Sequence, residues 1–105
     1  MTLFNHTNID QAYELINTCI IKTPLVSNDY INQITGGNIL FKLENLQITG
    51  SFKFRGASHK IAKLTESTIK NGIVAYSSGN HAQAVAYASQ QNNISAKIVM
   101  PSTAP

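Results

Sequence analysis

Apolar side chains recur along this chain at two spacings, one typical of helices and one typical of strands. Ile9, Tyr13 and Ile16 lie at helical spacing, whereas the alternation of apolar and polar residues around Phe41 is typical of a strand. Pro24 marks the end of the first helical segment. In chain order the pattern predicts a helix over 8–21, an extended piece over 24–26, a short helix over 29–34, a strand over 38–44, a helix over 51–68, a strand over 72–77, a helix over 80–91 and a strand over 96–100.

The predicted strands alternate with helices, which is typical of βαβ units and therefore of an α/β fold with a parallel sheet. The runs 73–75 and 98–100 are continuously apolar. Strands of a parallel sheet show such runs when helices cover both faces. We therefore expect these two strands to need covering layers on both faces and neighbouring strands beside them.

The composition and charge of the chain disfavour several kinds of binding partner and site. Charged residues make up 12% of the chain, the net charge is +3, and no basic block with interleaved aromatics occurs, which disfavours nucleic acid. No apolar run approaches the roughly 18 residues of a membrane span, and no secretory signal pattern is present. The single cysteine argues against a disulfide framework, and no His residues stand at metal-ligand spacing. We expect a cytoplasmic protein without a metal, nucleic-acid or membrane site.

Lys53 is the first candidate for chemistry, because it stands between two aromatic residues at a predicted helix start. A lysine that attacks a carbonyl must be neutral part of the time, and Phe52 and Phe54 are expected to exclude water from it. Arg55 is expected to add a like charge, and Ser51 to cap the helix. The alternative is that Lys53 is a solvated cation and that the two phenylalanines belong to the core.

The second candidate is the loop over residues 77–81, between a predicted strand and a predicted helix. Ligands of α/β proteins bind at the carboxyl ends of strands, and the N–H groups of a helix start favour anions. Gly79 lets a ligand approach the backbone closely, and the other four residues are short polar groups or a histidine. The simpler alternative is N-capping of the helix by Ser78 or Asn80.

Both motifs, in this order, resemble the fold-type II pyridoxal-phosphate enzymes. The closest group is the threonine (serine) dehydratases and the related serine racemases. Phe54 after the lysine and His81 after the loop asparagine favour this group over threonine synthases and cysteine synthases. The matching stretches cover nearly the whole chain and lie at 22–25, 41–47, 49–57, 77–84 and 99–101.

The resemblance implies a role for each matching residue. Lys53 would bind pyridoxal 5'-phosphate covalently and then act as a base. Phe52 would pack beside the cofactor ring, and Asn80 would bind its ring hydroxyl oxygen. Ser78 matches the second acid/base serine of the racemases. The substrate carboxylate would be held by the polar residues of the loop, which are Ser77, Ser78, Asn80 and His81.

The resemblance also implies the architecture and the activity. The fold would be tryptophan synthase β-like, a three-layer αβα arrangement with parallel strands. Residues 1–70 would begin the large domain and residues 71–105 the small one. The enzyme would convert threonine or serine into a 2-oxo acid and ammonia, as in isoleucine biosynthesis, and would be a homo-oligomer.

Family members are roughly three times as long as this chain, so the resemblance implies an N-terminal fragment, which we expect to be inactive alone. Because the remaining strands of both domains would be missing, we expect sheet edges and apolar faces of this chain to be left open. Two other functions stay open at this point. One is a serine racemase or another amino-acid lyase of the same group. The other is a non-catalytic module that binds an anion or a nucleotide through the 77–81 loop, although the chain has no G-x-G-x-x-G fingerprint.

Overall fold

The computed structural model describes residues 5–105, in which helices and short strands alternate. The five helices of the described residues are α1 (His6–Ile16), α2 (Asp29–Thr35), α3 (Lys53–Ala62), α4 (Glu66–Lys70) and α5 (Asn80–Gln91). The four strands are β1 (Leu25–Ser27), β2 (Leu40–Lys42), β3 (Ile73–Tyr76) and β4 (Ala96–Val99). Two 3-10 turns, Glu44–Leu46 and Ile48–Gly50, connect β2 to α3.

The first helix is earlier and shorter than its apolar spacing predicted. It begins after Asn5, whose side chain forms a reciprocal capping box with Asn8. It ends at Ile16. The Asn17 side chain donates to the carbonyl oxygen of Glu14 at 3.2 Å, and this bond takes the place of a backbone hydrogen bond of a further helical turn.

The predicted helix over 51–68 is two helices. Thr65 has extended backbone and its side chain accepts a hydrogen bond from the N–H of Thr68, so it is the N-cap of α4. The hydroxyl of Thr65 also lies 3.0 Å from that of Ser67. These short polar side chains compete with the helix backbone for hydrogen bonds, and α3 therefore ends before Lys63.

The described strands form two separate pairs of different direction. β3 and β4 are parallel, with Ile73 opposite Ala96, which confirms the βαβ prediction for this part of the chain. β1 and β2 are antiparallel, a pairing that the alternation of elements did not predict. The expectation of an open apolar face is confirmed for β3 in the described chain, since Val74 is 72% exposed and Tyr76 is 86% exposed. Only its other face packs inward.

The core lies between α3, α5 and the β3–β4 pair. Its buried members are Phe54, Ala57 and Ile61 from α3, Ala84, Val85 and Ala88 from α5, and Ile94 from the turn before β4. Burial of these side chains fixes the start of α3 relative to the start of α5. The candidate residues stand at those two starts. No helix of the described chain is long and apolar enough to cross a membrane.

Candidate active site

Lys53 is the first residue of α3, and its side chain is exposed. The next residue, Phe54, is 1% exposed, and its ring meets that of Tyr87 edge-on with 5.7 Å between the ring centroids. Successive helix residues point about 100° apart, so the burial of Phe54 turns Lys53 away from the core. Phe52 is 64% exposed. The expectation that both phenylalanines enclose Lys53 is therefore wrong for the described chain, and only Phe54 belongs to the core.

The start of α3 presents a buried hydroxyl. Ser51 has extended backbone, and no side chain caps α3, so the prediction that Ser51 is the cap is wrong. Its Oγ atom is buried and has no hydrogen-bond partner among residues 5–105. An unpaired buried hydroxyl costs about 1–3 kcal/mol, which a ligand that binds this oxygen would offset.

The 77–81 loop leaves the start of α5 open to an anion. Gly79 is the N-cap residue and no side chain caps α5, so the alternative of capping by Ser78 or Asn80 is wrong. Ser77 Oγ instead accepts a hydrogen bond from the N–H of Gly79 at 3.3 Å. The first N–H groups of a helix have no intrahelical acceptor and attract negative charge.

One cavity joins the two candidate segments. It has a volume of about 440 Å³, and both Lys53 and His81 line it. Ala57, Ile61 and Val85 contribute apolar wall. A small-molecule site of this kind combines an apolar lining with a few polar groups. The remaining predicted site residues are not among its lining residues; they are Phe52, Ser77, Ser78 and Asn80.

A buried glutamine holds the segment after α1 against the loop that precedes α3. Gln47 is 3% exposed, and its side-chain amide pairs with the backbone of Ile21 in both directions. The N–H of Ile21 donates to Gln47 Oε1 at 2.9 Å, and Gln47 Nε2 donates to the Ile21 carbonyl oxygen at 2.8 Å. The side-chain amide therefore pairs with the Ile21 backbone as a peptide group of a neighbouring strand would, and it links residues 26 positions apart.

Arg55 does not act on Lys53 as a free like charge, because Glu44 neutralises it. Arg55 Nε donates to a carboxylate oxygen of Glu44, and the other oxygen accepts from Gln47 Nε2 at 3.2 Å. Burial raises the pKa of Glu44, but hydrogen bonds from Arg55 and Gln47 and the charges of Arg55 and Lys42 outweigh it and lower the pKa overall.

Sequence reasoning assigned no role to Glu44 or Gln47. Both lie in a stretch that carries the family resemblance. Glu44 is 11 positions from Arg55 and Gln47 is 26 positions from Ile21, so no periodic signal identified these two pairings. Their position beside Arg55 means that they hold the first turn of α3 and hence the base of Lys53. Among the described residues, no group of three His, Cys, Asp or Glu side chains is placed to hold a metal ion.

Comparison with known proteins gives consistent results. The family model described as "pyridoxal-phosphate dependent enzyme" matches residues 16–105. L-threonine dehydratase catabolic TdcB of Staphylococcus aureus (strain USA300) is 52% identical over 99 residues. The match covers 93% of this chain and 29% of that protein, so this chain spans less than a third of its curated relative.

Solved structures show the same likeness. Serine racemase from Dictyostelium discoideum superposes with a TM-score of 0.90 at 44% identity, over 94% of this chain and 33% of that one. The processed form of threonine deaminase isoform 2 from Solanum lycopersicum superposes with a TM-score of 0.79 at 35% identity, over 99% of this chain and 30% of that one. These matches confirm the predicted fold class.

Proposed function

This chain belongs to the pyridoxal-phosphate dependent enzymes, and on that premise we propose that it carries the covalent and carboxylate-binding residues of a threonine or serine dehydratase. The overall reaction removes water from the amino acid and yields a 2-oxo acid and ammonia. The observation that supports this function best is the cavity that Lys53 and His81 share, since it brings the candidate amine and the candidate anion site together.

The residues present fit pyridoxal 5'-phosphate. The exposed amine of Lys53 is accessible to an aldehyde, and the unpaired Oγ of Ser51 lies two residues before it. The exposed ring of Phe52 offers an apolar face next to the amine. Asn80, at the open start of α5, would donate to the cofactor's ring hydroxyl oxygen.

Lys53 has two tasks in this proposal. Its Nζ atom would hold the cofactor covalently. The amine that is freed when the amino group of the substrate takes its place would then remove the proton from Cα of the substrate as a general base. Bound pyridoxal phosphate would supply a ring that accepts the electron pair left when the Cα–H bond breaks. The Glu44–Arg55 pair neutralises the charge of Arg55 and holds the helix turn from which Lys53 extends.

The loop residues hold the substrate by its carboxylate. The uncapped N–H groups of α5 attract the negative charge, and the polar side chains of the loop surround it; they are Ser77, Ser78, Asn80 and His81. Holding this end of the substrate orients the Cα–H bond toward Lys53.

A racemase is the second candidate, because serine racemases are among the structures that superpose on this chain. In that reaction Ser78 would act as a second acid/base on the face of Cα opposite Lys53. The products separate the two candidates, since a dehydratase releases ammonia and a racemase inverts serine.

The wider features of the proposal concern the whole enzyme. Residues 1–70 would belong to a large domain and residues 71–105 to a small one, and the enzyme would be a cytoplasmic homo-oligomer. The name of the Staphylococcus aureus relative favours threonine breakdown over isoleucine biosynthesis. The chain by itself would lack activity.

The test joins this chain to the remainder of the Staphylococcus aureus dehydratase, in place of the 99 residues that match. The chimera should form 2-oxobutyrate from threonine, and Lys53→Ala should abolish both this product and the absorbance of bound cofactor. Lys70→Ala, which changes an exposed lysine of α4, is the matched control and should leave both unchanged.

Two results would contradict the proposal. One is a borohydride-stable cofactor label retained by the Lys53→Ala chimera. The other is equal reaction of threonine and the corresponding amino alcohol, which would exclude a carboxylate-binding role for the loop. Ammonia-free conversion of L-serine into D-serine would favour the racemase, and a cofactor-free chimera would favour the non-catalytic anion-binding module.

A further inference from the structure

Gly56 stands inside α3, where glycine is less favourable than almost any other residue. It is the fourth residue of the helix, one turn after Lys53, and it lines the same cavity as Lys53 and His81. Glycine in a helix loses more conformational freedom on folding than alanine does, so its presence there requires a reason.

Neither of the usual structural reasons applies to Gly56. Its backbone is not in the left-handed region, unlike Gly36, Gly50 and Gly72, so any residue can adopt this conformation. A Cβ atom built on Gly56 would meet nothing within 4 Å among the described residues. By contrast, a Cβ atom on Gly72 would lie 2.9 Å from the carbonyl oxygen of Ser95.

The direction of helical side chains relates Gly56 to Lys53. Side chains on a helix tilt toward its N-terminus, so a residue three positions later covers the turn that carries the earlier one. A side chain at position 56 would therefore lean over the base of Lys53. The next residue on this face, Ala57, is also small and lines the cavity.

We infer that Gly56 keeps the backbone of α3 bare so that the cofactor held by Lys53 can contact the helix directly. This inference rests on the proposed function and assigns a positioning role to a residue that has no functional group. The space needed is on the cavity side of α3, which Gly56 and Lys53 both face. It follows that a methyl group added at position 56 should reduce binding of the cofactor while it stabilises α3.

The experiment uses the chimera of this chain with the remainder of the Staphylococcus aureus dehydratase, treated with pyridoxal 5'-phosphate and sodium borohydride. The amine of a lysine and the aldehyde condense with loss of water to an imine, and hydride from borohydride reduces the C=N bond to a stable secondary amine. Peptide mass spectrometry then gives the fraction of label on Lys53 relative to the other lysines. Urea unfolding of the unlabelled chain measures stability independently of the cofactor.

Gly56→Ala should change the two readouts in opposite directions. The ratio of folded to unfolded chain should rise by about fourfold, because alanine is the better helix former. The label on Lys53 should fall by about tenfold, as expected when a methyl group intrudes on a close contact.

Ser58→Ala is the matched control. Ser58 is buried in α3, has no hydrogen-bond partner among the described residues and does not line the cavity. This change should also stabilise the chain, but it should leave the label on Lys53 unchanged. The control separates an effect of helix stability from an effect at the cavity.

The outcomes distinguish this inference from the proposed function. Preferential labelling of Lys53 that persists in Gly56→Ala would overturn the role of Gly56 and leave the proposed function standing. An equal loss of label in Ser58→Ala would overturn it as well. Labelling of the wild-type chimera with no preference for Lys53 would refute the proposed function and this inference together.

Discussion

Replacement of Glu44 by glutamine should destabilise the chain at neutral pH and leave it nearly unaffected in acid. The carboxylate of Glu44 accepts hydrogen bonds from Arg55 and Gln47 and lies 3.4 Å from the hydroxyl of Thr23. A glutamine has one acceptor oxygen, and its NH₂ group would face donors. Glu44→Gln therefore loses the charge and at least one hydrogen bond.

The exposure of the pair sets the size of the effect. The side chains of Arg55 and Glu44 are 25% and 15% exposed, so the pair is neither a surface contact nor fully buried. Exposed pairs contribute about 0–1 kcal/mol, whereas breaking a fully buried pair costs about 3–5 kcal/mol. After a discount for solvent screening we expect a loss of about 2 kcal/mol, which is a shift of about 1–2 M in the urea midpoint for a chain of this size.

The dependence on pH follows from the lowered pKa of Glu44. A carboxylate whose pKa is lower in the folded chain stabilises it fully above its ordinary pKa of 4.5, and this stabilisation is lost as pH falls through the folded value. The glutamine variant has no such group. The difference in unfolding free energy should therefore be largest at neutral pH and should shrink below about pH 4.5.

The assay is urea unfolding followed by circular dichroism at neutral pH and at several acidic values. Glu14→Gln, which changes an exposed carboxylate of α1, is the matched control and should follow the wild type at every pH. The reasoning would be refuted by a Glu44→Gln midpoint equal to that of the wild type at neutral pH. A difference that stays constant into acid would refute the pKa argument specifically.

Two further outcomes are expected from the backbone and the open sheet. Gly72→Ala should lower the free energy of unfolding by about 1–3 kcal/mol, because φ is +76° and the new Cβ would lie 2.9 Å from the Ser95 carbonyl oxygen. Gly37→Ala is the control, because a Cβ atom there would make only ordinary contacts and Gly37 has no positive φ. Equal urea midpoints for the two variants would contradict the argument. The exposed face of β3 and β4 should make the chain self-associate, and Val74→Lys with Val99→Lys should suppress this in sedimentation velocity. A wild-type chain that stays monomeric at high concentration would exclude this face as a self-association surface.

Local patterns in the sequence were sufficient to predict the strand, the loop and the helix that carry the 77–81 half of the candidate site. The apolar run of β3, the polar loop and the alanine-rich α5 were all predicted, and Asn80–Gln91 was predicted with the observed bounds. The parallel pairing of β3 and β4 follows from the helix between them, since a crossover helix requires it. The shared position of Lys53 and His81 at one cavity needed the packing of α3 on α5 as well.

Features that depend on distant partners were not predicted. Gln47 pairs with a backbone group 26 positions earlier, and no spacing rule connects the two. The end of α3 was missed for a local reason, because the apolar spacing continues through Thr65 although threonine is a good N-cap residue. The exposure of Phe52 beside the burial of Phe54 depends on where α5 lies, which sequence alone does not state.

The pairing of Gln47 with the backbone of Ile21 restricts which residues this fold tolerates at position 47. The side chain at position 47 needs a hydrogen-bond donor and an acceptor at the distance that the glutamine amide spans, because it binds both the N–H and the carbonyl oxygen of Ile21. Glutamate has no donor at neutral pH, methionine and leucine have neither strong group, and asparagine is one methylene too short. Position 21 contributes only backbone to the pairing, so its side chain is free to change. Position 47 should therefore tolerate fewer substitutions than position 21, although the two residues form one contact. The less tolerant position is the one that precedes α3, the helix that begins at Lys53.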